Sequence, residues 1–303
     1  MQKVNLTFSF KDDYRVSEAF KSLRSNIEFC GSGIKTISVT SCTPNEGKSS
    51  VAMEMAKEFA KAGNKTLLLD ADLRKSVMVG RYKTGGVRKG LTHALIGKAP
   101  ISEVVYMTNV PNLFIIFSGP VPPNPSELLG GAGFTDMLDK LRQIFDVIIV
   151  DTPPLGSVID SAIVGNRCDG VVMVVEANAI SYRFVQSVKG QLDKAGCRIL
   201  GVVLNKVDIS GKSVYGNYGK YYGKYYGKYG SNDKINLISE EDALNGVTKE
   251  TTSKVILDGD FDLDFEIVDD GNKKTKNAGT IASRTLNGIA EDIAAMTDGQ
   301  DNR

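Results

Sequence analysis

Six apolar runs recur along the first two-thirds of the chain and alternate with stretches in which apolar residues recur every three or four positions. The runs have few polar interruptions, as is typical of strands buried on both faces, and they occupy residues 34–40, 65–69, 112–117, 146–150, 170–175 and 198–204. Stretches with helical spacing occupy residues 16–29, 48–62, 126–143 and 182–195. This alternation predicts an α/β fold, with a mostly parallel sheet covered by helices on both faces. Ligands of such sheets bind at the carboxyl ends of the strands, so the residues that follow the runs are the functional candidates.

The pattern changes in the last third of the chain. Residues 215–229 read YGNYGKYYGKYYGKY, a repeat of period four that holds seven of the 11 tyrosines. Glycine at this density is poorly suited to the interior of a helix or strand. We therefore expect three parts: a folded domain over 1–210, a tyrosine-rich segment over 211–230, and an acidic tail over 231–303 that is mostly flexible with a small conditional element.

Charge divides the chain at the same place. The whole sequence holds 37 Lys and Arg against 36 Asp and Glu, a net charge of +1. Residues 231–303 hold 8 basic and 16 acidic residues, which leaves 29 basic and 20 acidic residues for 1–230. The near-neutral average therefore combines a body of +9 with a tail of −8.

Composition excludes several kinds of site. The four cysteines lie far apart without a Cys-x-x-Cys pair, so no disulfide framework, zinc ribbon or iron–sulfur site is predicted. The single histidine, His93, is expected on a helix surface, which argues against histidine-based catalysis or metal binding. No apolar run approaches the ~20 residues that cross a bilayer. No charged-then-apolar leader opens the sequence, which argues against secretion.

A candidate phosphate loop, SCTPNEGKSS at 41–50, lies between a strand-like run and a helix-like stretch. In such loops the backbone N–H groups bind phosphate oxygens, the lysine reaches the terminal phosphates, and the next hydroxyl ligates magnesium. Lys48 and Ser49 would have these roles. Cys42 replaces the usual first glycine, so the loop taken alone is also compatible with a plain Gly-Lys turn. Redox sensing by Cys42 is not expected.

Carboxylates at two further strand ends favour the interpretation of 41–50 as a phosphate-binding loop. Asp70 and Asp72 follow the run LLL, and Asp151 follows VIIV. Acidic residues directly after buried strands seldom serve packing, because burying a charge is costly. Nucleotide chemistry needs carboxylates there to hold magnesium. Three of them beside a phosphate loop predict nucleotide binding.

These motifs resemble those of the bacterial tyrosine kinases of capsular and exopolysaccharide synthesis, over about residues 14–229. VTSCTPNEGKSS is similar to the family's Walker A motif, LLLDADLR to its Walker A′ motif and IIVDTPP to its Walker B motif. SGPVPPNPSELL at 118–129 and GVVLNKVD at 201–208 are similar to two further family segments, and a tyrosine cluster closes the domain. The resemblance implies a P-loop NTPase-like fold related to MinD and ParA, with ATP and Mg²⁺ as cofactors.

The resemblance also implies roles for individual residues. Catalysis would use Lys48, Asp70, Asp72 and Asp151, and the metal would be held by Ser49, Asp70, Asp72 and Asp151. The nucleotide would be bound by Thr43, Pro44, Asn45, Glu46, Gly47, Lys48, Ser49, Ser50 and Asn205. Oligomerisation would use Glu18, Lys21 and Arg24.

This chain departs from the family pattern at two positions. Lys21 stands where the family has arginine, and lysine lacks the planar fork that binds a carboxylate in bidentate fashion. Ser76 stands where the family usually has proline, which we expect to matter little. Without the resemblance, the face that carries Lys21 would be interpreted as a solvated helix surface.

The tyrosine repeat is interpreted as the phosphoacceptor. Seven tyrosines in a Gly/Lys repeat cannot all find buried contacts, and their chain also carries an ATP site. The acceptors would be Tyr215, Tyr218, Tyr221, Tyr222, Tyr225, Tyr226 and Tyr229. The resemblance favours transfer between subunits of a ring-shaped homo-oligomer. RNA binding by the aromatic and basic repeat is the weaker alternative, and no nucleic-acid partner is expected.

The resemblance further implies a transmembrane activator or polysaccharide co-polymerase as a separate chain, and a cognate tyrosine phosphatase. The protein would then be cytoplasmic and peripheral at the inner face of the membrane. A MinD/ParA-type nucleotide switch is the main rival, although such proteins carry a second lysine where this chain has Thr43. A catalytically idle scaffold for a polymerase stays open as well.

Two regulatory hypotheses follow from charge. The segment 211–230 starts at +4, and each phosphate adds about −1.5 to −2. Phosphorylated tails in one ring should therefore repel one another and favour disassembly. The acidic tail could also dock on the basic body and limit access to the tyrosines.

Overall fold

A computed structural model describes residues 2–8 and 14–207, together with the backbone of 252–256. The chain separates into two units, Met1–Ile256 and Leu257–Arg303, and the second lies outside the described residues. The predicted tyrosine-rich segment, 211–230, and most of the predicted acidic tail lie outside them too. Within the described residues, none of the helices is both long enough and apolar enough to cross a bilayer.

The strands and helices of the described residues alternate along most of the chain. The strands are β1 (Gln2–Lys3), β2 (Thr36–Ser41), β3 (Thr66–Asp70), β4 (Tyr106–Met107), β5 (Leu113–Ile116), β6 (Val147–Asp151), β7 (Gly170–Glu176), β8 (Ile199–Val207) and β9 (Thr252–Ile256). The helices are α1 (Tyr14–Phe29), α2 (Lys48–Lys61), α3 (Met78–Arg81), α4 (Leu91–Leu95), α5 (Ile101–Val104), α6 (Pro125–Gly130), α7 (Ala132–Arg142), α8 (Asp160–Gly165) and α9 (Tyr182–Lys194).

The described strands form one sheet in the order β1-β4-β5-β3-β6-β2-β7-β8-β9. All neighbouring pairs are parallel except β4 with β5 and β8 with β9. The prediction of a mostly parallel α/β sheet is confirmed. β2 lies between β6 and β7, and β6 pairs with β3 on its other side, so the ends of β2, β3 and β6 meet at one edge of the sheet. In register, Asp151 of β6 lies opposite both Val39 of β2 and Asp70 of β3.

Apolar side chains cover both faces of the sheet. On one face, Phe20, Leu23 and Ile27 of α1 are buried in the same cluster as Met55 and Phe59 of α2. Their spacing of three and four residues is the pattern that predicted these helices. On the other face, a second cluster includes Phe134, Leu138 and Leu141 of α7. Burial on both faces explains why β2, β3 and β6 are entirely buried strands.

The structure differs from the predicted pattern at one long helix. The predicted helix over 126–143 is two helices, α6 and α7, separated at Gly131. Gly131 has an extended backbone (φ −77°, ψ 163°), so it cannot continue α6. A Cβ atom there would lie 3.2 Å from the carbonyl oxygen of Glu127, a close contact that a larger residue could relieve only by a small shift of its neighbours. The apolar spacing continues across the break and therefore concealed it.

Candidate nucleotide-binding and catalytic site

The phosphate loop connects the end of β2 to the start of α2, and its geometry depends on Gly47. This residue has a left-handed backbone (φ +96°) directly before the first turn of α2. A Cβ atom at Gly47 would lie only 2.1 Å from Nδ2 of Asn205. Glycine is therefore required on two grounds, the backbone angle and the close approach of β8. The result is a turn with the N-terminus of a 14-residue helix behind it, an arrangement suited to phosphate.

Glu46 and Asn205 hold the loop in place from within the protein. The Glu46 side chain is 1% exposed; it accepts hydrogen bonds from the backbone N–H and the hydroxyl of Thr43, the latter at 2.8 Å. Its other oxygen accepts the N–H of Glu176 in β7 at 3.1 Å. Asn205 Nδ2 donates to the Glu46 carbonyl at 2.8 Å. The glutamate thus braces the loop from within the protein.

Lys48 lies between the carboxylates of two other strand ends. Its Nζ is 3.3 Å from Oδ2 of Asp72 and 3.5 Å from Oδ1 of Asp151, and it donates to Ser49 Oγ at 3.2 Å. Burial by itself lowers the pKa of Lys48, but the attraction of Asp151 and Asp72 outweighs burial and raises it. Lys48 therefore stays charged. The predicted residues Lys48, Ser49, Asp72 and Asp151 are brought together in one cluster.

Asp70 lies beside this cluster in a fully buried position. Burial, helped by the nearby charge of Asp151, raises the pKa of Asp70 to about 7. Its Oδ2 accepts hydrogen bonds from the hydroxyl of Ser76 and from the N–H of Ser118, the latter at 3.3 Å. Ser76, which departs from the family pattern, is therefore a direct partner of Asp70.

Asp72 and Asp151 are held differently. Oδ1 of Asp72 accepts the backbone N–H groups of Arg74 at 3.3 Å and Lys75 at 2.9 Å, which leaves Oδ2 toward Lys48. Asp151 is the last residue of β6 and is 1% exposed. Burial raises its pKa, while Lys48 and the Ser49 hydroxyl act in the opposite direction. The cluster is thus an anionic centre with one buried cation.

An ion-pair network that the sequence analysis did not anticipate supports the turn after Asp72. Arg74 forms a bidentate pair with the buried Asp160, at 2.7 and 3.1 Å, and also donates to Ser126 Oγ at 2.8 Å. Ser126 donates to Asp160 at 2.6 Å. Burial opposes ionisation of Asp160, but the hydrogen bonds from Arg74 and Ser126 outweigh it and lower the pKa. The three residues come from distant parts of the sequence, so no local pattern could have grouped them.

Cys42, which replaces the usual first glycine of the loop, is completely buried. Burial, with a contribution from Glu46, raises the pKa of its thiol to about 12. A buried thiol with this pKa is a poor nucleophile. The residue therefore acts in packing.

The remaining nucleotide-binding candidates lie around the rim of the loop. Pro44 and Asn45 are exposed, and the Asn45 carbonyl accepts a hydrogen bond from Lys206 at 2.8 Å. The hydroxyl of Ser50 in the first turn of α2 accepts a hydrogen bond from Arg81. Their contact with a nucleotide stays a prediction.

The candidate oligomerisation residues lie on α1. There Glu18 pairs with Lys21 at 2.7 Å, and Arg24 pairs with Glu28 at 2.6 Å. Both ion pairs are formed within the helix, and Lys21 has 52% of its side chain exposed. The tyrosines of the predicted acceptor repeat lie outside the described residues.

The residues of the cluster fit a magnesium-bound nucleotide. Within the described residues, no three His, Cys, Asp or Glu side chains are close enough together to form an all-protein metal cage. Mg²⁺ at nucleotide sites is usually held by one or two carboxylates together with phosphates and waters, so such a cage is not required. Gly47 creates the cradle, and Ser49, Asp72 and Asp151 supply hard oxygen donors beside it.

A family model described as an AAA domain matches residues 34–196, the region that contains the phosphate loop and the three aspartates. The chain is thus a P-loop nucleotide-binding protein. It is 45% identical over 207 residues to tyrosine-protein kinase CpsD of Streptococcus agalactiae, covering 68% of this chain and 90% of that protein. It is 36% identical over 206 residues to tyrosine-protein kinase YwqD of Bacillus subtilis (strain 168), covering 67% and 86%.

Solved structures agree with these relatives. The chimerical protein CapA2B2 aligns with a TM-score of 0.63 at 32% identity, covering 68% of this chain and 94% of that one. The kinase domain of the Escherichia coli tyrosine kinase ETK aligns with a TM-score of 0.62 at 26% identity, covering 71% and 93%. MinD of Pyrococcus horikoshii aligns with a TM-score of 0.50 at 24% identity, covering 60% of this chain and 72% of that one. At this identity the alignment shows the shared fold alone. The chain belongs to the bacterial tyrosine-protein kinase family, as the sequence motifs predicted.

Proposed function

We propose that this protein is an ATP-dependent tyrosine autokinase that phosphorylates its own C-terminal tyrosine cluster. The observation that carries the proposal is the position of Lys48 between Asp72 and Asp151 at the end of a phosphate loop. One cation and several carboxylates at the N-terminus of α2 form a site for a magnesium-bound triphosphate. The repeat of seven tyrosines in the same chain supplies the acceptors.

In the reaction, the bond between the γ-phosphorus and the β,γ-bridging oxygen of ATP breaks, a bond from that phosphorus to the tyrosine oxygen forms, and ADP leaves. Lys48 and the loop N–H groups would stabilise charge on the phosphates, which is most of what catalysis of such transfers requires. One carboxylate of the Asp70 and Asp72 pair would accept the phenol proton. Mg²⁺, held by Ser49 and the aspartates, would supply neutralising charge at the phosphates.

The Lys48→Met variant tests the proposal directly. After incubation with ATP and Mg²⁺, mass spectrometry should find phosphotyrosine in residues 215–229 of the natural protein and none in the variant. The matched control is Lys61→Met. Lys61 is the last residue of α2, at the end opposite to Lys48, and it pairs with Glu58 at 2.7 Å. The control should keep its phosphotyrosine. Equal phosphorylation of both variants would refute the assigned role of Lys48.

Transfer between subunits is a further part of the proposal. Asn205 and Tyr215 are ten residues apart, a span of at most ~33–36 Å when extended, which allows a neighbour's site without excluding the protein's own. The test mixes Lys48→Met protein with an active protein whose seven tyrosines are replaced by phenylalanine. Phosphate on the Met partner supports transfer between subunits, and its absence rejects it.

We also propose the cellular setting that family membership suggests. The kinase would regulate capsular or exopolysaccharide synthesis and export. It would assemble as a ring through α1, work beside a transmembrane activator chain at the inner face of the membrane, and be reversed by a tyrosine phosphatase. Phosphorylation of residues 211–230 would weaken the ring through repulsion. Native mass measurements before and after dephosphorylation test this, and unchanged assembly would reject it.

The acidic tail is proposed as a brake on the reaction. Its charge of −8 against +9 for residues 1–230 favours docking of one on the other. Deletion of residues 231–303 should then raise autophosphorylation, most strongly at low salt, because screening weakens the attraction at higher ionic strength. Equal rates for the two proteins would dispose of this role.

A further inference from the structure

A cavity of about 210 Å³ is lined in part by Ser118, a residue that contacts Asp70. Its lining combines the polar side chains of Arg88, Lys89, His93 and Ser118 with the apolar walls of Val79 and Pro120. The backbone N–H of Ser118 donates to Asp70 Oδ2 at 3.3 Å, so one residue contributes both to the cavity and to the hold on a catalytic carboxylate. A ligand in this cavity would therefore lie next to the reaction site.

The backbone of the basic pair is fixed by a buried tyrosine. The hydroxyl of Tyr106, a fully buried residue, accepts the N–H groups of Arg88 at 3.3 Å and Lys89 at 3.1 Å. The same hydroxyl donates to the Lys89 carbonyl at 2.9 Å. Three hydrogen bonds to one buried group hold this loop against the sheet, so the basic side chains project from a fixed backbone.

Close packing of Gly90 against Gly119 fixes the other wall of the cavity. A Cβ atom at Gly90 would lie 2.4 Å from the Phe117 carbonyl oxygen, so only glycine allows the loops to meet there. The Gly90 N–H donates to Nδ1 of His93 at 3.2 Å. Because Nδ1 accepts that bond, the neutral His93 ring carries its proton on Nε2, which is then available as a donor.

The cavity keeps polar groups available for an anion. Lys89 pairs with Glu103, which balances its charge. Arg88 is exposed, and its guanidinium makes no hydrogen bond or ion pair with another described residue. The Ser118 hydroxyl has no partner among the described residues either. The cavity therefore offers one uncompensated cation with hydroxyl and imidazole donors beside it, between apolar walls that suit an aromatic ring.

We propose that this cavity binds phosphotyrosine, namely a tyrosine of the repeat that has already been modified. The inference rests on the proposed function for the origin of the ligand. Charge selects the modified form, since the unmodified segment 211–230 is at +4 and would be repelled by Arg88. A phosphate monoester is the ligand for which arginine's planar fork is suited, and the apolar walls would contact the ring.

Docking of one phosphotyrosine would bring a neighbouring tyrosine to the catalytic centre. Tyr218 and Tyr222, like Tyr222 and Tyr226, are four residues apart, which is about 13–14 Å when extended. The period of the repeat would then place successive acceptors at a constant distance from the docked group. Multiply phosphorylated chains should accumulate ahead of singly phosphorylated ones, and Arg88→Ala should reverse that order.

The experiment measures binding without any transfer. The full-length chain with phenylalanine at the seven repeat tyrosines is titrated, in the absence of ATP, with a peptide of residues 213–230 phosphorylated at Tyr222. We expect this peptide to bind at least about tenfold more tightly than the unmodified peptide, as charge-assisted hydrogen bonds to phosphate suggest. Arg88→Ala should weaken it about tenfold, by the same reasoning.

The matched control is Lys98→Ala, which removes an exposed cation shortly after α4 but outside the cavity, and it should leave the affinity nearly unchanged. Equal affinity for the two peptides, or equal weakening by the two variants, would overturn the proposal. Inorganic phosphate or a phosphoserine peptide that competes as well as phosphotyrosine would overturn it too, because the ring would then not be recognised. Since no ATP is used, failure here leaves the kinase proposal standing, and failure of the kinase assay leaves this binding result intact.

Discussion

Lysine–carboxylate ion pairs occur both on the surface of α1 and at the buried phosphate loop. The surface pair has the shorter N–O distance but the smaller expected effect on the protein. On α1, Lys21 and Glu18 are 2.7 Å apart, with 52% and 44% of their side chains exposed. At the phosphate loop, Lys48 is 3.3 Å from Asp72 and 3.5 Å from Asp151, with exposures of only 11%, 6% and 2%. The shorter pair is exposed to water and contributes little to stability, whereas the longer contacts join the buried charges beside the phosphate loop. Burial, not distance, decides which charges carry function.

Removing one buried carboxylate should have the largest effect. Asp151→Asn leaves the buried Lys48 with less compensation and removes an oxygen beside the metal position. We expect autophosphorylation to fall by roughly 10²–10³-fold, the usual loss when one preorganised electrostatic group is removed. Quantitative mass spectrometry of the tyrosine repeat measures this. Activity within a factor of two of the natural protein would show that the buried centre is not the site.

Two glycines with the same backbone angle separate the effect of conformation from that of close approach. Gly47 and Gly63 both have φ +96°, but a Cβ atom at Gly63 meets nothing within 4 Å, while one at Gly47 meets Asn205. Gly63→Ala should cost about 1–2 kcal/mol of unfolding free energy, because left-handed backbone is unfavourable with a side chain.

Gly47→Ala adds overlap with Asn205, which brings the loss to about 2–4 kcal/mol. It should also weaken nucleotide binding, which Gly63→Ala should leave unchanged. Denaturant titration and a fluorescent ATP analogue provide the two measurements. Equal behaviour of the two variants would mean that Asn205 does not constrain the loop.

The Arg74 and Asp160 pair lies between the two extremes, since its carboxylate is buried and its guanidinium is 38% exposed. Hydrogen bonds lower the pKa of Asp160 in the folded state, so its contribution is present above the unfolded pKa of ~3.9 and is lost as pH falls below it. Asp160→Asn should destabilise the protein by about 2 kcal/mol at pH 7, as for hydrogen bonds to charged groups. Below ~pH 4 the difference from the natural protein should shrink. A constant difference in denaturation experiments from pH 7 to pH 3 would argue against this pair.

Lys21→Ala should have the smallest effect on the isolated domain. Its only described ion-pair partner is Glu18, at the solvent-exposed surface of α1. Nucleotide affinity and the midpoint of denaturation should both stay unchanged within error. Lys21→Arg restores the family pattern, and if α1 is the ring interface it should strengthen assembly in native mass spectra. A shift in nucleotide affinity in either variant would show that α1 is coupled to the site.

The sequence could predict those parts of the site whose geometry follows from adjacency in the chain or from the order of the strands in the sheet. Gly47, Lys48 and Ser49 are adjacent in the chain, and Asp70 and Asp151 end strands that lie side by side, so their meeting follows from the topology. The apolar runs predicted the parallel sheet, because a strand that is buried on both faces has apolar residues at successive positions and does not alternate them with polar ones.

The parts that escaped prediction depend on contacts between distant segments. Arg74, Ser126 and Asp160 meet only after folding, and so do Tyr106 and the backbone of Arg88. His93 lies half-buried on α4, and its place in the lining of the cavity beside Ser118 depends on the same kind of contact. No periodicity records such contacts, since each depends on the packing of elements whose positions the local sequence leaves open.

The most direct test of the account is to follow the γ-phosphate of labelled ATP in the presence of Mg²⁺ and an activator chain, with the label located by peptide mapping. We predict that the label accumulates on tyrosines 215–229 in the natural protein and is lost in Lys48→Met. Hydrolysis of ATP with no label on the repeat, under any activator supplied, would contradict the account and leave a nucleotide switch in its place.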